Sequence, residues 1–191
     1  MRKPIGVLCV FLGVVCILSS IGFVAYNQWE NKNAERISQS FLERVQNLID
    51  ENVEAPEGTE MPTVTVDGYE CIGFLSVPVL DLELPVLTDW SYEKLNKAPC
   101  LYYGSYYDKN FVIAAHNYES HFGRLSQLEA GDIVSFTDVR GTTYHYDVAL
   151  LETLPKDATK EMILSGFDLT LYTCTLDGGS RVTVRCNSVT K

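Results

Sequence analysis

Cys174 and Arg181 stand seven residues apart in the stretch DLTLYTCTLDGGSRVTVRC, which runs from Asp168 to Cys186 and turns on an Asp-Gly pair. Asp-Gly signals a two-residue β-hairpin turn, because a type I′ turn needs positive φ at both central positions and these residues tolerate it. With Asp177 and Gly178 at those positions, Leu176 faces Gly179 and Cys174 faces Arg181 across the ladder, with Cβ atoms about 5 Å apart. The same register sets Leu169, Leu171 and Thr173 against Cys186, Val184 and Val182 on the other face, a coherent apolar surface. A three-residue turn would oppose Cys174 to Val182 and throw Cys174 and Arg181 onto opposite faces, so the two-residue register is the one expected. A guanidinium beside a thiol favours the thiolate, which is the nucleophilic form, and can stabilise the oxyanion that forms when the thiolate adds to a carbonyl. The bland alternative is an ordinary cross-strand contact between a half-buried cysteine and a surface arginine.

Attack on an amide also needs a proton for the departing amine, and an imidazole can supply it near neutral pH. The chain has three histidines. His116 ends the run FVIAA and opens the loop NYESHFGRL, an edge position from which a side chain can face a cleft. His121 lies inside that loop, and His145 alternates with Tyr144 and Tyr146 in a strand. Spacing ranks His116 slightly first, with a structural histidine as the alternative at each place.

These residues need a scaffold, and from Tyr69 to Lys191 the sequence offers short β-rich runs: ECIGFLSV, DLELPVL, FVIAAH, DIVSFTD, TTYHYDVALLETL, DLTLYTC and SRVTVRC. Helical patterning is confined to Tyr92–Lys97 and Thr159–Gly166. Several closely spaced strands in about 120 residues predict an all-β domain, a closed or nearly closed β-barrel with short helices, rather than a parallel α/β sheet. The composition, 46% apolar and 21% charged, is that of a chain that packs a core. Twenty-five acidic against 15 basic residues give a net charge of −10, which argues against a nucleic-acid partner. Six cysteines with no C-x-x-C pair argue against both a disulfide scaffold and a structural zinc site.

The N-terminal end differs. From Ile5 to Tyr26 there are 22 consecutive uncharged residues, about 33 Å as a helix and enough to span a bilayer. Arg2 and Lys3 precede this run, while the 41 residues after it carry three basic and nine acidic side chains. The positive-inside bias therefore predicts a single-pass anchor over residues 1–27, with the N-terminus cytoplasmic and the remainder extracellular. A cleaved signal peptide is the rival, disfavoured by the length of the run and the lack of an A-x-A site. Residues 28–53 carry Ile37, Phe41, Val45, Leu48 and Ile49 on one stripe and read as an amphipathic helix that packs on the domain or the membrane surface. Residues 54–68, rich in Pro, Gly and acid, read as a tether. Residues 69–191 are the expected barrel.

The motifs resemble one family. T-L-Y-T-C at 170–174, followed by Arg181 in S-R-V-T-V-R, resembles the T-L-x-T-C and downstream arginine signature of sortases. I-G-F-L-S-V-P-V-L-D-L-E-L-P-V at 72–86 is similar to the first two barrel strands of that family, and A-A-H-N-Y followed by H-F-G-R-L and G-D resembles its catalytic-histidine segment. The resemblance implies Cys174 as nucleophile, His116 as acid/base and Arg181 as the residue that steadies substrate and oxyanion. Arg185 shares Arg181's face but lies four residues on, about 13 Å at strand rise, which makes it the poorer candidate. The implied activity is transpeptidation. An L-P-x-T-G-type sorting signal of a secreted surface protein is cleaved through a thioester and passed to a cell-wall precursor amine, with no obligatory cofactor or metal.

Subgroup marks are mixed. No second span is expected near the C-terminus and the tether shows no aromatic lid, both unlike the pilus-polymerising subgroup. The short Glu152–Phe167 connection leaves little room for the longer helix of the class B subgroup, although the His116-Asn117 pair resembles that class. Cys71, Cys100 and Cys186 lie outside the signature and could form a disulfide or remain buried thiols. Two rival functions stay open. One is a cysteine peptidase transferring to water, although papain-like enzymes place Cys before His and the S-H-G-C-R type motif of L,D-transpeptidases is absent. The other is a catalytically silent domain that binds sorting-signal peptides.

Overall fold

The computed structural model describes residues 3–50 and 61–189. The chain divides into two units, Met1–Asn33 and Ala34–Lys191, and one helix, α1 (Lys3–Asp50), runs through both. The anchor and the amphipathic stretch were expected as separate elements. They are continuous because no Gly or Pro stands between residues 27 and 50 to end the helix. In the first unit the apolar side chains from Val7 to Tyr26 are exposed, and this part of α1 is long and apolar enough to cross a membrane.

The second unit carries strands β1 (Val64–Val66), β2 (Tyr69–Val77), β3 (Leu82–Leu87), β4 (Cys100–Tyr103), β5 (Phe111–Ala114), β6 (Ile133–Asp138), β7 (Thr143–Pro155), β8 (Leu169–Cys174) and β9 (Ser180–Ser188). Two short helices, α2 (Tyr92–Leu95) and α3 (Thr159–Ile163), interrupt them. The sheet order is β1-β2-β3-β4-β5-β8-β9-β7-β6, and β6 pairs back onto β2. The eight strands β2 to β9 thus close a barrel, the all-β architecture expected from the strand pattern. The seven expected strands are present. β4 adds an eighth, a four-residue run between Pro99 and Gly104 too short to show a period. β1 lies inside the stretch read as a tether. It pairs with the start of β2 through a turn at Asp67 and Gly68, both at positive φ. The tether residues 54–60 lie outside the described residues.

The interior is filled by Leu75, Val77, Phe111, Ile113, Phe122, Phe136, Val148, Leu169, Leu171 and Val184 with their neighbours, the inward half of the strand alternation. A second apolar cluster lies outside the barrel. Phe41 and Val45 of α1 pack there with Val64, Val66, Cys71, Leu87, Ala98, Cys100 and Val139, and the Phe41 and Tyr69 rings meet edge-on at 5.8 Å. The amphipathic stripe therefore covers the barrel, supported by an Arg44–Asp67 ion pair. Where β2 meets β6, Gly73 has φ 148°, and a Cβ there would stand 2.0 Å from the Thr137 carbonyl oxygen. Only glycine lets the two backbones approach closely enough to close the barrel at that point.

Candidate active site

The β8–β9 hairpin pairs Cys174 with Arg181, Thr173 with Val182 and Leu169 with Cys186, the register derived from the sequence. The turn is of another kind. Gly178 has positive φ but Asp177 does not, and the Gly178 N–H donates to the Thr175 carbonyl while the Thr175 N–H donates to the Ser180 carbonyl. The loop therefore spans four residues, 176–179, rather than two. Widening a turn by one residue on each side leaves every pair in the ladder unchanged, so the register survives the change of turn type. The Asp177 carboxylate selects the wider form. It accepts from the Gly179 N–H at 3.0 Å and from the Thr175 hydroxyl, and these bonds hold its pKa below the usual carboxylate value.

His116 reaches the same place by a different route. β5 runs parallel to β8, with Ala114 opposite Tyr172. Extending that register by two residues sets His116 beside Cys174. The Ala115 N–H donates to the Tyr172 carbonyl at 3.2 Å, and the buried Thr173 hydroxyl donates to the Ala115 carbonyl at 2.9 Å. Histidine, cysteine and arginine thus stand on neighbouring paths β5, β8 and β9, with the cysteine in the middle and strands about 4.8 Å apart.

All three line one cleft of about 160 Å³. One wall comes from the end of β7 and from α3, with Pro155, Lys156, Thr159 and Met162. The other is aromatic, with Tyr172, Tyr102, Trp90 and Tyr92 in successive ring contacts at 5.3, 5.9 and 5.9 Å. Cys174 and His116 are half-buried, so the sulfur and the imidazole are held in place yet accessible. The His116 ring lies 5.0 Å from that of Tyr118. Arg181 Nη1 donates to its own turn at the Ser180 and Gly178 carbonyls, 2.9 and 3.2 Å, which anchors the guanidinium at the cleft mouth. Burial pushes the Tyr172 phenol above its usual value, leaving it a neutral donor beside the cysteine.

The other two histidines are placed elsewhere. His121 is fully buried under Tyr118, neither ring nitrogen has a partner among the described residues, and it does not line the cleft. His145 pairs with Ser135 at the start of β7 and lines a separate cleft with Tyr106 and Asp168. Arg185 is buried and its donors are occupied. Cys71, Cys100 and Cys186 are free buried thiols, each pushed up to about 12 by burial. Leu87 pairs with Cys71 on one side and with Cys100 on the other, so those two sulfurs are a full strand apart, beyond disulfide reach. Among the described residues there is no group of three or more His, Cys, Asp or Glu that could hold a metal ion. The cleft walls escaped the sequence reading. Period-two alternation from Cys174 points to Tyr172, but Trp90 and Tyr102 arrive through non-local pairing that carries no local signal.

A thiolate at Cys174 would have a proton carrier on one side and a hydrogen-bond fork on the other, the arrangement required for acyl transfer through a thioester. Comparison by sequence with curated proteins gives no match. Among solved structures the chain is similar to sortase C1 of Streptococcus suis, at 25% identity and TM-score 0.57, covering 64% of this chain and 75% of that one. Two others share the fold. Sortase A of Corynebacterium diphtheriae is 17% identical with TM-score 0.58 over 92% and 96% of the two chains. A sortase D5 transpeptidase of Clostridium perfringens is 14% identical with TM-score 0.59 over 83% and 99%. The likenesses spread over sortases A, C and D at similar scores, so the fold does not select a subgroup. The family profile described as a sortase domain matches residues 75–189, and the chain belongs to the sortase family of cysteine transpeptidases.

Proposed function

We propose that the protein is a membrane-anchored transpeptidase that cleaves an L-P-x-T-G-type sorting signal and passes the surface protein to a cell-wall amine, with Cys174 as nucleophile, His116 as acid/base and Arg181 as oxyanion donor. The observation that carries this reading is the alignment of those three residues along the neighbouring paths of β5, β8 and β9 around one cleft. The Cys174 thiolate attacks the threonine carbonyl and the Arg181 fork stabilises the tetrahedral oxyanion. The C–N bond then breaks as His116 gives its proton to the leaving amine. An acceptor amine attacks the thioester, loses its proton to His116 and expels the thiolate. The topology follows from Arg2 and Lys3 ahead of the apolar run and the acidic excess behind it. Tyr26 and Trp29, their rings 6.2 Å apart, suit the outer headgroup level. An anchor of this kind raises the effective concentration of substrates that emerge at the membrane.

The test uses the whole chain in non-ionic detergent, because cutting at Tyr69 would strip Phe41, Val45, Val64 and Val66 from the second apolar cluster. A quenched L-P-x-T-G-type peptide library is incubated with and without an amine acceptor, and the protein is examined by mass spectrometry for an acyl adduct on Cys174. Amine-dependent product with a Cys174 thioester is expected, and Cys174→Ala should lose more than about 10³-fold in turnover. Cleavage by water alone would establish the hydrolase instead. Equal binding without turnover by wild type and Cys174→Ala would establish the silent module.

A further inference from the structure

The largest fully buried side chain in the barrel unit belongs to Arg185, at 2% exposure. A buried guanidinium loses hydration worth several kcal/mol and persists only where its donors are satisfied. Here Nε donates to Glu152 Oε1 at 2.7 Å, Nη1 to the Thr170 hydroxyl at 2.9 Å and to the Met162 carbonyl at 3.2 Å, and Nη2 to the Glu161 carbonyl at 2.8 Å. Glu152 and Thr170 sit on β7 and β8, whereas Glu161 and Met162 belong to α3.

α3 has five residues and no side-chain cap at its N-terminus, too short to hold itself together in water. The Lys160 carbonyl accepts from the Leu164 N–H, but among the described residues the carbonyls beyond it have no backbone partner within the helix, and two of them, Glu161 and Met162, are the oxygens that Arg185 takes. The cation also stands at the end of the helix that favours positive charge. The same helix forms a wall of the cleft through Thr159 and Met162, while Arg185 itself does not line the cleft. Its influence on substrate must therefore pass through α3.

We infer that Arg185 is a positioning residue that clamps α3 to the β7–β8–β9 sheet and so sets the peptide-binding wall, controlling peptide affinity rather than the chemical step. This inference rests on the reading that the cleft takes a sorting-signal peptide. The test compares wild type with Arg185→Met, Arg185→Lys and the double variant Arg185→Met/Glu152→Leu. The double variant removes both charges and preserves folding if the single change leaves Glu152 stranded. The full chain in detergent is assayed with the quenched peptide and amine. KM should rise about 10-fold in Arg185→Met and in the double variant, and Arg185→Lys should recover part of the loss through one remaining carbonyl bond. Both kcat and the rate of iodoacetamide alkylation at Cys174 should stay within about 2-fold. Amide hydrogen exchange at Met162–Leu164 should accelerate in every variant lacking the arginine, and that readout needs no substrate. Unchanged exchange in α3 would overturn the clamp outright. A fall in kcat at constant KM, or a lower melting temperature with unchanged kinetics, would overturn the control of affinity. Absence of turnover in wild type would instead overturn the underlying reading, a separate outcome.

Discussion

His121 makes the stability of the barrel depend on pH in a calculable way. Its imidazole is fully buried without a hydrogen-bond partner among the described residues. Burial, with the nearby His116 adding to the effect, holds its pKa down at about 4 against an ordinary 6.5. Between those values the unfolded chain binds a proton at this residue that the native chain does not. Stability from this group is therefore complete above about pH 6.5, falls by about 1.4 kcal/mol per pH unit as the solution is acidified, and levels off below about pH 4. The accumulated loss is about 3 kcal/mol, a large share of the 5–15 kcal/mol typical of a domain. His121→Phe retains a ring against Tyr118 and has no proton to bind. Urea unfolding of the full chain in detergent, followed by near-ultraviolet circular dichroism at pH 7, 5.5 and 4, measures the difference between the two proteins. That difference should move by about 3 kcal/mol in favour of the phenylalanine variant on acidification. The loop that holds His121 is tied to His116, since the Phe122 N–H donates to the His116 carbonyl. A wild-type-minus-variant difference that stays flat across the window would show that His121 is not held neutral by burial.

Two further substitutions probe the hairpin and the barrel closure. Arg181→Lys keeps the charge but loses the planar fork, so kcat/KM should fall about 10²-fold as for an oxyanion donor; rates near wild type would remove Arg181 from the transition state. Gly73→Ala puts a methyl 2.0 Å from the Thr137 carbonyl where the barrel closes, and urea unfolding should show a loss of about 3 kcal/mol or more; a loss under 1 kcal/mol would mean that the β2–β6 junction is not tight.

What was legible in the sequence was local. Alternation in residues 168–186 fixed which face of the hairpin is apolar, so Cys174 and Arg181 could be paired although the turn proved wider than Asp-Gly suggests. The stripe from Ile37 to Ile49 announced a buried helix face. Which surface it covers was not written there, because the partners Val64 and Val66, Leu87 and Val139 are supplied by three separate segments. β1 was hidden in a Pro- and acid-rich stretch, since three residues are too few to establish a period. α3 was legible as a helical piece, but its role as a cleft wall depends on β7 and β8 lying on either side of β9.

The two arginines of β9 show why spacing alone assigns roles poorly. Arg181 and Arg185 point the same way from the same strand, and the alternation rule treats them alike. What separates them is the cover. At the turn end Arg181 is half-buried and borders the cleft. Four residues on, α3 lies over the face, and Arg185 is buried beneath it behind the cleft wall. The polar side of the hairpin thus borders the cleft at one end and carries α3 at the other. The junction is set by α3, a helix that could not hold its place without the buried arginine. The Cys174–Arg181 pair is built by one hairpin, whereas the imidazole is brought in by the parallel β5–β8 pairing and tied by the Thr173–Ala115 bond. Cys174 and Arg181 therefore belong to one local hairpin, whereas the placement of His116 beside them depends on the non-local β5–β8 pairing.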